Sequence, residues 1–195
     1  MKKYIKKIFI CMIGIIALEL IFLTGRTIRN YTVITEIKNK GKDILESKNY
    51  KFIKYENKEN GHNAKDVIYY KDGICKVETY NDGELAYINW KDYNTNEVAG
   101  EFISSDSNNT DYLVAIKNGY FIQEEPLEFN FVQTLKIEGD YYVTGTEGMI
   151  KKYFDKKTKE LKKATFLGEA DRKISEYTFK IEYNIVTDTD VVKPE

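Results

Sequence analysis

The sequence predicts an α+β protein in which an N-terminal transmembrane helix leads into a second helical stretch and then into an antiparallel β-sheet. Three observations support this fold class: an apolar run behind four lysines, helical spacing of apolar residues over 27–48, and alternation of apolar and polar residues after Asn49. The chain of 195 residues is long enough for one domain with a core and short for two.

The apolar run extends from Ile8 to Gly25, eighteen residues, close to the roughly 20 that a helix needs to cross a bilayer core about 30 Å thick. A cleaved signal peptide usually has a shorter apolar region and a small-residue exit, whereas the exit here reads FLTGRT. We therefore expect a retained signal-anchor. Glu19 lies near the outer end of the run, where it is either tolerated or contacts a partner helix.

Basic residues on the two sides of the apolar run predict its orientation. They are Lys2, Lys3, Lys6 and Lys7 before the run and Arg26 and Arg29 after it. Because basic residues concentrate on the cytoplasmic side of membrane proteins, we expect the N-terminus inside and the C-terminus outside. The chain would then divide into a cytoplasmic tail with a membrane anchor, residues 1–26, and an extracytoplasmic domain, residues 27–195.

Charge and cysteine content exclude several classes of function. Residues 27–195 hold 25 basic and 30 acidic side chains, a formal charge of −5, so the domain as a whole should be repelled by nucleic acid and by anionic lipid. Of the two cysteines, Cys11 lies in the apolar run and Cys75 in the domain. This separation excludes a disulfide framework and a cysteine-based metal site.

Residues 27–48 form a predicted amphipathic helix that continues from the anchor, and an antiparallel meander follows. The Asn-Asp-Gly sequence at 81–83 is a strong hairpin signal, because glycine tolerates the positive φ that such a turn needs. The apolar stripe of the helix comprises Ile28, Tyr31, Ile34, Ile37, Gly41, Ile44 and Leu45. The predicted strands are 50–56, 66–70, 74–80, 84–91, 96–104 and 112–119.

The alternation breaks between residues 120 and 139, where we predict a short second helix beginning near Pro126, with a strand over 128–132 as the alternative. Its apolar residues, Leu127, Phe131 and Leu135, recur every four positions. Strands are then predicted to resume at 140, with a final strand over 175–186. In that strand Tyr177, Phe179, Ile181, Tyr183 and Ile185 alternate with polar residues, which predicts one apolar and one solvated face.

Residues 151–163, KKYFDKKTKELKK, contain seven lysines in thirteen positions. The pattern predicts a hairpin with strands at 149–155 and 160–167, in which Asp155 accepts hydrogen bonds from backbone N–H groups two or three residues on. Lysines on a solvated strand face oppose edge-to-edge aggregation. We therefore interpret the segment as a solvated hairpin rather than as a basic patch for nucleic acid or membrane.

The order of elements resembles the lipoprotein-localisation-factor superfamily, the LolA/LolB/RseB-like half-barrels. Two stretches also resemble that superfamily in amino-acid sequence: GDYYVTG followed by MIKKYFDKKTKELKKATF, and YTFKIEYNIVTDTDVVKP near the end. The order of elements is similar over residues 28–195, and the amino-acid sequence is similar over residues 139–194. It implies a strongly curved antiparallel sheet, a half-barrel wrapped around the N-terminal helix and the short second helix. It also implies an apolar concave face that binds lipid acyl chains or a protein partner.

No catalytic constellation is recognisable in the sequence. His62 is the only histidine and lies in a polar loop, so neither a Ser-His-Asp triad nor a histidine-rich metal site is present. Carboxylate neighbours such as Glu124 with Glu125 and Asp188 with Asp190 are expected by chance in so acidic a domain, and no phosphate-binding loop motif occurs. The sequence therefore predicts a protein that is not an enzyme and that needs no cofactor or metal.

Seven aromatic residues are candidates for an apolar ligand groove, with core packing as the alternative. They are Tyr87, Trp90, Phe102, Phe121, Phe129, Phe131 and Tyr142. We expect a single-pass, membrane-anchored extracytoplasmic protein that holds an apolar ligand, such as a lipid or lipoprotein acyl chain, on its concave face. The alternatives are a regulatory or structural module that contacts an envelope protein and a hydrolase of cell-envelope polymer.

Overall fold

The structure, a computed structural model, describes residues 2–59, 61–100, 135–145, 150–168 and 172–194. Its first element, helix α1, extends without interruption from Lys2 to Glu46. The apolar run and the amphipathic stretch that follows it therefore belong to one helix. Within the described residues, Lys7–Glu46 is the one helix long and apolar enough to cross a membrane.

Within the residues that the structure describes, ten antiparallel strands follow α1 and form a single open sheet, which curves around the helix as a half-barrel and confirms the predicted α+β fold class. Strand β1 is central; β2 to β5 extend the sheet on one side, and β10 back to β6 extend it on the other. The strands are β1 (Asn49–Lys58), β2 (Asn63–Lys71), β3 (Ile74–Asn81), β4 (Glu84–Asp92), β5 (Glu97–Gly100), β6 (Lys136–Glu138), β7 (Tyr141–Thr144), β8 (Ile150–Asp155), β9 (Leu161–Leu167) and β10 (Lys173–Tyr183).

Two tight turns join β2, β3 and β4. Asp72 and Gly73 have φ values of 48° and 91°, and Asp82 and Gly83 have 50° and 91°. Positive φ at both central residues is typical of the type I′ turn, whose twist matches that of the flanking strands. The hairpin predicted from the Asp-Gly signal at 82–83 is confirmed.

The core lies between the concave face of the sheet and the last part of α1. Val33, Ile37 and Ile44 of α1 are at most 5% exposed, and they belong to one helical face. They pack with strand residues that include Tyr50, Phe52, Ile68, Cys75, Val77, Phe154 and Leu161. The predicted stripe is correct from Ile34 onward and wrong before it, because Ile28 and Tyr31 are 62% and 70% exposed, and it omitted the buried Val33.

The convex face of the sheet carries the C-terminal segment, residues 184–194. Strand β10 ends at Tyr183, and Asn184 takes a positive φ of 58° that turns the chain out of the sheet. The side chain of Asn49 then holds the Val186 backbone through two hydrogen bonds of 2.8 and 3.0 Å. A 3₁₀ helix, Asp188–Val191, contacts β2 and β3. The strand predicted over 175–186 is therefore wrong in its last three residues, and Ile185 is 49% exposed.

The region between β5 and β6 differs from the prediction where it can be compared. Residues 136–138 form strand β6, so the sheet resumes earlier than expected, and Leu135 before it is fully buried in the core. The predicted strand 112–119, the end of the strand 96–104 and the short helix from Pro126 lie outside the described residues.

The lysine-rich hairpin is confirmed in its backbone as β8, a turn and β9. Asp155 Oδ1 accepts hydrogen bonds of 2.8 Å from the backbone N–H groups of Lys157 and Thr158, as predicted. The prediction that its lysines lie on a solvated face is wrong for Lys152, which faces the concave side opposite the buried Ala164, and burial lowers its pKa. Lys159 at the turn also contacts α1, with its Nζ 3.2 Å from Glu36 Oε2.

Candidate binding site on the concave face

Of the seven aromatic residues predicted to line a groove, the three that the structure describes do not form one group. Tyr87 on β4 faces the concave side, since it lies two residues from Asn89, which pairs with the core residue Val77. Tyr142 on β7 pairs with the core residue Phe154 and packs against the core. Strands β4 and β7 are seven positions apart in the sheet, so these two tyrosines do not meet. Four others lie outside the described residues: Phe102, Phe121, Phe129 and Phe131.

Trp90 points to the convex face, away from Tyr87, because it is an odd number of residues further along β4. Its side chain is 5% exposed, and its Nε1 donates a hydrogen bond of 2.8 Å to the carbonyl oxygen of Val191. The ammonium group of Lys193 lies 5.9 Å from the centroid of the indole ring. Trp90 thus holds the C-terminal segment against the sheet.

Four aromatic rings follow one another across the middle of the concave face, on β1, β10 and β9. We call them the ring row: Phe52, Phe179, Tyr177 and Phe166. Successive ring centroids are 5.9, 6.5 and 5.1 Å apart, within the range of direct aromatic contact. Phe52 is 2% exposed and Phe166 is 36% exposed, so the row leads from the core towards solvent.

A small cavity of about 170 Å³ lies on the same face across β1 to β4. We call it the polar pocket; it is lined by Lys54, Asp66, Ile68, Val77, Thr79, Tyr87 and Asn89. Lys54 Nζ lies 2.8 Å from Asp66 Oδ2, and the Thr79 hydroxyl donates a hydrogen bond of 2.9 Å to Asp66 Oδ1. Both oxygens of this half-buried carboxylate are therefore engaged by protein groups.

The amide oxygen of Asn89, which also lines the polar pocket, differs from the Asp66 carboxylate in its hydrogen bonding. Asn89 is 7% exposed, and among the described residues no donor reaches its Oδ1. A buried acceptor without a donor costs free energy, of the order of 1–3 kcal/mol. Among the described residues, the wall of the polar pocket therefore contains a buried acceptor that has no donor.

Tyr177 connects the ring row with the polar pocket. Lys54 Nζ lies 5.4 Å from the centroid of its ring, and its hydroxyl donates a hydrogen bond of 2.7 Å to Glu56 Oε1. Burial and, after it, the hydrogen bond to Glu56 raise the pKa of Tyr177 to about 12. The phenol thus stays neutral at physiological pH, so the concave face combines aromatic rings with fixed polar groups.

Sequence reasoning missed this grouping. The alternation over 177–183 placed Tyr177 and Phe179 on one face, but their contacts with Phe52 and Phe166 depend on strand pairing. Lys54 and Asp66 occupy ordinary polar positions of alternating strands, and no local pattern distinguishes them from solvent-facing residues. Their contact follows from the register in which β1 and β2 pair.

Other candidate groups stay at the surface. His62 lies in a loop, with its Nδ1 2.9 Å from Asp82 Oδ2. Asp188 pairs with Lys71 at 2.6 Å, and Asp190 accepts a hydrogen bond of 2.8 Å from the backbone of Thr187. In the part of the chain that the structure describes, no three His, Cys, Asp or Glu side chains cluster in a way that would hold a metal ion.

Comparison by sequence finds no matching family model and no matching curated protein. Solved structures with a similar arrangement include MucB in complex with MucA(peri), with a TM-score of 0.47 and 11% identity over 84% of this chain and 59% of that chain. The Pseudomonas aeruginosa MucA/MucB complex has a TM-score of 0.45 and 11% identity over 85% and 61%.

An uncharacterized conserved protein from Thermus thermophilus is also similar, with a TM-score of 0.43 and 10% identity over 85% of this chain and 94% of that one. The chain spans about 60% of the length of the MucB structures. These likenesses to solved structures are weak structural resemblances. They are likenesses of chain arrangement and do not identify a ligand or a partner.

Proposed function

We propose that this protein is a membrane-tethered, non-catalytic binding module whose sheet domain lies outside the cytoplasm. The observation that carries the proposal is the continuity of α1. The helix that exposes the apolar run in its first half supplies Val33, Ile37 and Ile44 to the core in its second half. Its 45 residues extend over about 68 Å, enough to cross a bilayer core of about 30 Å and still enter the domain.

A continuous helix fixes the distance and orientation of the sheet relative to the membrane better than a flexible linker would. This arrangement suits a stationary binding or sensing role rather than a shuttling carrier. In this proposal residues 1–26 are the cytoplasmic tail and anchor, and residues 27–195 are the extracytoplasmic domain. The orientation rests on the excess of lysines before the apolar run.

For the ligand, we infer a protein segment that lies on the concave face along the ring row and the polar pocket. A peptide supplies backbone N–H and C=O groups for the polar pocket and apolar side chains for the rings around Phe166. An acyl chain would cover the rings but offers no hydrogen-bonding group to the polar pocket. The polar pocket, about 170 Å³, is also below the roughly 300 Å³ at which small-molecule sites begin.

An acyl chain of a lipid or lipoprotein remains the second candidate. One observation favours it: the ring row continues from the core to Phe166, which is 36% exposed, so an apolar chain has a surface to lie on. Binding there would bury apolar area without using the polar pocket.

Site-specific photo-crosslinking in the intact membrane separates the two candidates. A benzoylphenylalanine at Tyr87 or at Phe166 reports on the concave face, and one at Tyr55, which is 40% exposed on the convex face of β1, is the matched control. We expect protein adducts at Tyr87 and Phe166 and none at Tyr55. Lipid adducts at Phe166 alone would favour the acyl chain. Equal adducts at all three positions would refute a concave-face site.

The tether is tested by alkaline carbonate extraction of membranes, combined with intact-mass analysis of the N-terminus. We expect the full-length chain to stay in the membrane fraction. Release of a mature form that begins near Thr27 into the soluble fraction would overturn the anchor.

A further inference from the structure

A second cavity lies where α1 leaves the apolar run, between the helix and strand β6. Its volume is about 820 Å³, within the range of about 300–1,000 Å³ that ligand sites occupy. We call it the juxtamembrane cleft. The residues that matter for its chemistry are Phe22, Gly25, Arg26 and Arg29 of α1 and Lys136 and Ile137 of β6.

Three cations line the juxtamembrane cleft: Arg26, Arg29 and Lys136. Within the described ranges, none of the three forms an ion pair with a carboxylate, and Arg29 donates only to the neutral amide oxygen of Asn30 at 3.0 Å. Glu138 also lines the cleft, so the local formal charge is +2. Although residues 27–195 carry −5 in total, an anion in the cleft is closest to these cations, and charges beyond about 8 Å are screened at physiological salt.

The cleft also has an apolar part. Phe22 is 70% exposed and Ile137 is 48% exposed. Phe22 lies inside the apolar run and Arg29 seven residues further on, which corresponds to about 10 Å along the helix. The headgroup layer of a bilayer is roughly 5–8 Å deep on each side. With α1 anchored, the cleft therefore crosses the boundary between hydrocarbon and headgroups.

We propose that the juxtamembrane cleft binds an anionic phospholipid of the membrane in which α1 is anchored. The phosphate contacts Arg26, Arg29 and Lys136, and one acyl chain lies against Phe22 and Ile137. Arginine forms paired hydrogen bonds to phosphate oxygens, and the apolar residues provide the contact that a soluble phosphate would lack. This inference rests on the membrane tether proposed above and is independent of what occupies the concave face.

Gly25 offers a way to fill the cleft without removing charge. A Cβ built on Gly25 meets no atom within 4 Å, so Gly25→Leu places a side chain into the cavity and favours the helix. Gly14 in the same apolar run has equally open surroundings, so Gly14→Leu is the matched control. The contribution of the cleft's positive charge is tested with the double variant Arg26→Gln/Arg29→Gln. Its control is Lys58→Gln/Lys157→Gln, which removes two exposed charges elsewhere in the domain.

The experiment places the full-length chain in nanodiscs of equal parts phosphatidylglycerol and phosphatidylcholine and measures the lipids that remain bound after gentle detergent extraction, by native mass spectrometry. We expect phosphatidylglycerol to be retained over phosphatidylcholine. Arg26→Gln/Arg29→Gln should reduce that preference by about fivefold for each charge removed. Gly25→Leu should reduce retention of both lipids, while the two control variants should behave like the wild type.

Equal retention of the two lipids, or an unchanged preference in Arg26→Gln/Arg29→Gln together with unchanged lipid retention in Gly25→Leu, would overturn the lipid site while leaving the tether intact. Inorganic phosphate that competes with phosphatidylglycerol at millimolar concentration would show an anion site without lipid specificity and would likewise overturn it. A chain that does not enter nanodiscs at all would refute the tether, and the lipid site with it.

Discussion

The indole Nε1 of Trp90 donates a hydrogen bond of 2.8 Å to the carbonyl oxygen of Val191, and this contact fastens the C-terminal segment to strand β4. Lys193 adds two further contacts between the segment and the sheet: it lies over the indole ring and pairs with Glu97 on β5. The segment therefore covers the convex face, on the side of the sheet away from α1.

Deleting residues 185–195 should expose Trp90, which is the only tryptophan and is 5% exposed in the intact chain. We expect its fluorescence emission to shift to longer wavelength, because the indole exchanges protein contacts for water. The measurement is an emission spectrum of the purified chain in detergent. Lys193→Met, which keeps the segment but removes the cation, should leave the spectrum nearly unchanged; an unshifted spectrum in the deletion would contradict the contact.

Asp66→Ala should destabilise the domain, because it leaves the Lys54 ammonium and the buried Thr79 hydroxyl without their acceptor. We expect a loss of about 2–3 kcal/mol in the free energy of unfolding, measured by urea titration of Trp90 fluorescence. Asp188→Ala is the control: its pair with Lys71 is as short, at 2.6 Å, but the Asp188 side chain is 92% exposed. Its loss should stay below about 1 kcal/mol. Equal losses in the two variants would show that burial of Asp66 does not matter.

Stability should fall in acid partly through Asp155. Hydrogen bonds from the backbone N–H groups of Thr158 and Lys157 lower the pKa of Asp155 in the folded chain. The unfolded chain, with an Asp pKa near 3.9, binds the proton more readily. The charged carboxylate therefore contributes stability above that pH, and the contribution is lost as pH falls through the lowered folded pKa.

Asp155→Asn keeps an acceptor in the turn but removes the titration. We expect its free energy of unfolding to change less than that of the wild type between about pH 5 and pH 2. Asp43→Asn, on the exposed side of α1, removes one charge without touching a turn and serves as the comparison. The same acid dependence in Asp155→Asn as in the wild type would exclude this role for Asp155.

Gly73→Ala should cost more stability than Gly83→Ala, although both glycines have φ of 91°. Both variants place a residue with a Cβ in the left-handed region, which costs about 1–2 kcal/mol in the free energy of unfolding. At Gly73 the Cβ would also collide with the side-chain amide of Asn94, whereas nothing lies within 4 Å at Gly83. Moving Asn94 breaks its hydrogen bond of 3.0 Å to the Asp72 carbonyl, an additional loss of about 1 kcal/mol. Equal unfolding free energies for the two variants would refute this account.

The sequence predicted the elements that depend on local patterns. The apolar run, the type I′ turn at Asp82 and Gly83 and the turn at Asp155 are each specified within a few residues, and the structure has all three. Strand β6 was missed because three residues carry too little alternation to detect. The end of β10 was missed because the alternation continues through Ile185, while Asn49, distant in sequence, draws Val186 out of the sheet.

The sequence by itself determined the apolar run, the long helix and the alternating strands, because periodicities of 3.6 and 2 are properties of neighbouring residues. Only the tertiary structure decided which side of each strand faces α1. Alternation separates Tyr87 from Trp90, and Lys152 from Tyr153, but it does not say which of the two lies inside. Strand pairing then brings Lys54 to Asp66 and Phe166 to Tyr177, so the candidate site exists only in the folded sheet.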